Sequence, residues 1–171
     1  MKNLSKSFLA LAAFLAFAHL GKAQTVNSGA WMLGGSAGLD ISKYKEADES
    51  STTILVFPTA GYFIADNLAV GLEAGLVSSS FDGESSTNFS VGPFVRYYVG
   101  SPVFIQANAL FDLSEGGGTT FGGSVGYTHF LNNGLAIEPA LYFQSYNAEG
   151  DFGDYTSFGL SIGFQGFLGK N

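Results

Sequence analysis

Few side chains in this 171-residue sequence are of the types that perform acid–base, nucleophilic or metal chemistry, and their spacing serves most of it poorly. Acyl transfer needs a nucleophile, a base and a group that orients the base. The sequence has no Cys, and downstream of residue 23 its one histidine, His129, is followed by Phe130 and Leu131 with no Ser or Asp two residues away. His129 therefore reads as an aromatic beside a turn, and no catalytic residue is assigned. The stretch Gly116-Gly117-Gly118-Thr119-Thr120 lacks the lysine of a phosphate loop and reads as a flexible loop tip. Glu149, Asp151 and Asp154 depart from the spacing of a calcium loop and read as solvated acids, so neither a metal nor a cofactor is expected. One cluster remains: Arg96, the sole arginine, with the carboxylates Glu73 and Glu138.

The elements that would position that cluster begin after residue 23. Lys2 and Lys6 form a positive start, Phe8 to Phe17 an apolar run, and Gly21-Lys22-Ala23 a small-x-small cleavage site, so residues 1–23 read as a signal peptide. The run is too short to anchor a helix in a membrane. Residues 24–171 then form one domain with four basic residues (Lys43, Lys45, Arg96, Lys170) against 14 acids, a net charge of −10. Such acidity argues against a nucleic-acid partner.

Side chains in this domain alternate with a period of two, the mark of strands. In Ala30 to Ser42, Trp31, Leu33, Ala37, Leu39 and Ile41 face one way, while Met32, Ser36, Asp40 and Ser42 face the other. The same split recurs over Leu68–Leu76, Phe89–Val99, Val103–Asp112, Phe121–Thr128, Ile137–Gln144 and Phe158–Gln165; only Thr53–Ile64 is apolar on both faces. Eight strands result. Three connections are tight, at Ala65-Asp66-Asn67, Gly100-Ser101-Pro102 and Asn132-Asn133-Gly134, and four are longer and mostly acidic, near residues 44–51, 80–87, 114–120 and 147–155. Short and long connections alternate. The fold expected is an all-β, eight-stranded antiparallel up-and-down transmembrane β-barrel.

The polar face decides which side is wet. It carries mostly Gly, Ser, Thr, Gln and Asn, with Asp40, Glu73, Arg96, Asp112 and Glu138 as the charges within strands. Small polar residues suit the narrow lumen of an eight-stranded barrel, and a solvated surface would carry many more long charged ones. Trp31, Tyr62, Tyr97 and Tyr127 fall near the short turns, where an interfacial aromatic girdle belongs. An isolated guanidinium in the lumen would be costly to desolvate, so Glu73, Arg96 and Glu138 are expected to form a network that acts as a structural plug. Pro58, Pro93 and Pro139 lie inside strands, where each removes a ladder donor, and local bulges or loosened pairing are expected there.

With the signal, the alternating strands, the element Gly61-Tyr62-Phe63 before an Asp-Asn turn, the strand Leu135 to Pro139 and a closing strand of alternating Gly and Phe, the chain resembles the outer-membrane β-barrel domain family, the small OmpA-like and porin-like barrels. That resemblance implies an integral protein of the cell outer membrane, in contact with outer-membrane lipid and inserted by a barrel-assembly machinery, with a structural, surface-contact or minor porin-like role and a largely filled lumen. Two rival functions are a secreted soluble barrel that binds lipid inside and a lipid-modifying barrel enzyme. Lipid A hydrolases among small barrels carry a His-x-Ser pair, a pattern that His129-Phe130-Leu131 does not match.

Overall fold

The structure, a computed structural model, describes residues 26–43, 50–81, 84–99, 102–114, 117–148 and 154–169. The signal segment 1–23, the loop acids Glu149 and Asp151, and much of the longer connections lie outside these residues.

The described chain is all strand and turn. In order it forms β1 (Trp31–Lys43), β2 (Ser50–Ala65), β3 (Leu68–Phe81), β4 (Glu84–Tyr98), β5 (Val103–Asp112), β6 (Thr119–Tyr127), the two-residue β7 (His129–Phe130), β8 (Leu135–Asn147) and β9 (Tyr155–Leu168). Neighbours pair antiparallel, β1 pairs with β9, and β6 pairs with β8, so the sheet has no free edge and closes on itself. β7 carries β6 onward against the same partner: Gly126 faces Ala140 and His129 faces Ile137, which is one continuous register. The wall is thus an eight-stranded closed antiparallel barrel.

Each proline explains a local gap. Pro139 stands in β8 where Tyr127 and Thr128 lack ladder partners on that strand, and this gap divides β7 from β6. Pairing of β2 with β3 skips Phe57 and Pro58, and pairing of β4 with β5 skips Gly92 and Pro93, both without a change of register. A missing N–H loosens the ladder on one side of the strand only. Pro58 still faces Gly35 of β1, and Pro93 still faces Leu72 of β3. The register shift that does occur lies elsewhere, between Phe63 and Ala65.

The connection expected to be long around residues 80–87 is not. β3 and β4 run on to the pair Phe81 and Glu84, leaving residues 82–83 between them. Serine and threonine tolerate a strand and bond across it, as Thr87 Oγ1 does to Ser78 Oγ at 3.2 Å, so a polar run that reads as loop extends the hairpin. At the opposite end, Asn67 takes the left-handed conformation (φ 65°) that closes the β2–β3 turn, and its N–H donates to the carbonyl of Val26.

Alternation sorts the side chains by face. Along β4, Gly92, Phe94, Arg96 and Tyr98 are buried inside, while Pro93, Val95 and Tyr97 are exposed outside. β2, apolar on both faces, follows the same rule: Leu55, Phe57 and Phe63 turn inward and Ile54, Val56 and Ile64 outward. Bare glycines make room for the larger inward residues in so narrow a lumen. A β-carbon on Gly126 would strike the Phe104 ring, and one on Gly159 would come within 2.7 Å of the Tyr142 hydroxyl.

Candidate functional site

The lumen has three levels. At the end carrying the tight turns, Met32, Phe63, Phe94, Tyr98, Phe104 and Phe167 pack into an apolar floor. The rings of Phe63 and Phe167 lie 6.2 Å apart, and those of Tyr98 and Phe104 6.0 Å. The segment before β1 seals the floor from below. Val26 and Ala30 are buried in it, the Gly29 N–H donates to the Phe63 carbonyl, and Ser28 N donates to Asp66 Oδ1.

Above the floor sits a chain of charged and amide groups. Arg96 Nη1 donates to Glu138 Oε2 at 2.6 Å, and Arg96 Nε donates to Gln106 Oε1 at 2.8 Å. Glu138 Oε1 accepts from Thr128 Oγ1 at 2.7 Å and from the Tyr98 hydroxyl at 3.3 Å. Gln106 Nε2 donates onward to Glu73 Oε2 at 2.9 Å, and Asn108 Nδ2 donates to Glu73 Oε1 at 2.6 Å. The guanidinium carbon lies 4.2 Å over the centre of the Phe104 ring, so the cation rests on the floor's aromatic face.

The strands dictate these meetings. β4 and β5 are symmetric about Ser101, which sets Arg96 opposite Gln106, and the hairpin symmetric about Asn133 brings Thr128 to Glu138. Barrel closure then carries β8 across the lumen to β4. Arg96 and Glu138 form a direct ion pair, whereas Glu73 touches Gln106 and Asn108 and meets the guanidinium only through Gln106. Sequence reasoning passed over Gln106, Asn108, Tyr98 and Thr128. Hairpin symmetry about the tight turns is the signal that finds Gln106 and Thr128.

Above the chain the lumen opens into two adjoining cavities of about 60 Å³ and 270 Å³. Leu55, Phe57, Tyr142 and Gln144 line both. Glu73, Gln106 and Asn108 lie at the bottom of the smaller one, and Thr53, Ser79 and Ser157 ring the larger, toward the end with the longer connections.

The aromatic residues expected as a girdle divide. Trp31, Tyr62 and Tyr97 are exposed on the outer wall near the tight turns, with the Trp31 and Tyr62 rings 5.1 Å apart. Tyr127 does not join them, being only 3% exposed, with a buried hydroxyl that has no partner among the described residues. Register is unbroken here, so Tyr127 keeps the parity of the outward residues Phe121 and Val125 and is nonetheless covered, while Thr128 turns inward to Glu138 and its N–H donates to the Pro102 carbonyl. His129 is exposed and faces Ile137 across the β7–β8 pair. A hydroxyl does meet a carboxylate at Thr128 and Glu138, but Thr128 is 1% exposed and sealed from any substrate. Asp154 caps the Ala148 N–H at 3.2 Å, and no group of metal-ligating side chains forms among the described residues.

No protein-family model and no curated protein matches the chain. Among solved structures it is similar to the outer membrane protein AlkL, determined by solid-state NMR in DMPC lipid bilayers, with 12% identity, coverage of 88% of this chain and 92% of that one, and a TM-score of 0.41.

Proposed function

We propose that the chain is an integral outer-membrane β-barrel protein with a structural, surface-contact or minor porin-like role, whose lumen is blocked at the end with the tight turns. The observation that carries the membrane reading is the inversion of the wall. The large apolar side chains outside the floor and the cavity lining stand on the exterior: Leu72 is 61% exposed and Phe158 86%, and the outward face of β9 continues through Leu160, Ile162, Phe164 and Leu168. Among the described strand residues, the charged and amide side chains Glu73, Arg96, Gln106, Glu138 and Gln165 are buried inside. In water this would be an exposed hydrophobic belt around a buried polar core, the reverse of a soluble barrel.

The belt has the right height. From Phe158 to Leu168 the chain takes ten steps of roughly 3.3 Å, which at a tilt of about 45° rise about 23 Å, close to the band of about 25 Å on membrane barrels. Trp31, Tyr62 and Tyr97 lie at one border of that belt, where amphipathic rings favour the lipid–water interface. The cleaved signal read in residues 1–23 supplies the export such a placement requires.

The blocked lumen rests on the floor and on the Arg96 chain above it, where a cavity of about 40 Å³ lies around the guanidinium. Membrane fractionation with heat-modifiable gel migration tests the placement: the protein should partition with outer membranes and run faster unheated than boiled. Recovery as a soluble protein without detergent would refute it. Planar-bilayer recordings test the block, since steady nanosiemens-scale channels altered by Arg96→Ala would refute the plug while leaving the placement intact.

A further inference from the structure

The charge balance of the lumen is uneven. Arg96 is committed to Glu138 by its ion pair and to Gln106 by its Nε donor, which leaves Glu73 with no ion pair among the described residues. Each Glu73 oxygen accepts one amide N–H and keeps further lone-pair capacity. The residue is 5% exposed, yet it borders the cavity of about 60 Å³, where it is the one charged group among the described lining residues. The cavity of about 270 Å³ directly above has no charged lining residue among those described; its wall is Leu55, Phe57, Leu110 and Tyr142 interleaved with hydroxyls.

A desolvated carboxylate under an amphipathic chamber complements a positive head carrying an apolar body. We infer that the vestibule is a binding site for a small organic ammonium ion. Its ammonium group donates to the Glu73 carboxylate and to hydroxyls such as Ser36, and its apolar body lies against Phe57, Leu55 and Tyr142. Anions are disfavoured by the same charge, and Arg96 offers them no route, because its guanidinium lies below, stacked on Phe104 and paired to Glu138. Binding needs the closed barrel and does not depend on the surrounding medium, so it can fail while the membrane placement stands.

Benzylammonium is the probe and benzyl alcohol its neutral counterpart, titrated by calorimetry and by amide NMR shifts into the full chain folded in detergent micelles. Benzylammonium should bind more tightly than benzyl alcohol, shift the residues around Phe57 and Tyr142, and lose about tenfold to a hundredfold in affinity in Glu73→Gln. Equal affinity for the two probes, or equal benzylammonium affinity in wild type and Glu73→Gln, overturns the site. Should Glu73→Gln fail to fold, Ser36→Leu, which narrows the chamber and leaves the carboxylate in place, must weaken benzylammonium; unchanged binding there overturns the site as well.

Discussion

Replacing Arg96 by Met keeps an unbranched apolar side chain over Phe104 and removes the only cation in the polar chain. Glu138 Oε2 then loses its 2.6 Å donor and Gln106 Oε1 loses its 2.8 Å donor, while Thr128 and Tyr98 still serve Glu138 Oε1. Breaking one side of a buried ion pair costs about 3–5 kcal/mol, because the remaining charge is stranded in a medium that cannot solvate it. Loss of the cation–π contact adds about 1–2 kcal/mol. A second substitution, Glu138→Gln, relieves the stranded charge and keeps an acceptor for Thr128. The double variant should therefore lose about 2–3 kcal/mol less stability than the sum of the two single losses. Urea unfolding in phospholipid vesicles reads this out through Trp31, the sole tryptophan, which is exposed on the outer wall. A loss below about 1 kcal/mol for Arg96→Met, or a double variant as unstable as the two singles combined, would refute the view that this ion pair is a buried unit.

Other sites carry independent expectations. Leu72→Arg, on the exposed outer wall, should cost about 2–4 kcal/mol in vesicles if that wall meets hydrocarbon, whereas a water-facing wall would tolerate it within about 0.5 kcal/mol; the same urea titration separates the two. Phe63→Ala deletes a fully buried ring from the floor and should lower stability by about 3–5 kcal/mol, and a change within 1 kcal/mol would mean the floor is not packed. Tyr127→Phe removes a buried hydroxyl that has no partner among the described residues, so stability should hold or rise by about 1 kcal/mol; a clear loss would reveal a hydrogen bond at that oxygen.

Much of this architecture is legible in the pattern of residues alone. Alternation with a period of two fixes which side chains share a face, and tight turns fix local register, so Arg96 opposite Gln106 and Thr128 opposite Glu138 follow from counting outward from Ser101 and Asn133. The proline gaps are equally local, since a missing N–H is a property of the residue itself. What periodicity misplaces is what it does not encode: Tyr127 has the parity of the outward residues Phe121 and Val125 yet is covered, and the serine-rich stretch from Ser78 to Thr87 extends a hairpin although its composition reads as loop.

Contacts across the lumen belong to the tertiary structure. β4 and β8 are not neighbours in the sheet, so the meeting of Arg96 with Glu138 exists only once the wall has closed, with a diameter and stagger set by all the strands together. Closure likewise gathers Met32, Phe63, Phe104 and Phe167 from four strands into one floor and leaves Glu73 a cavity above it. Which side chains face in and which face out is readable from the order of residues, because it follows from the geometry of a single strand. Which inward groups touch, and which carboxylate lacks a cation, was decided by the curvature of the closed sheet, a property that no single strand possesses.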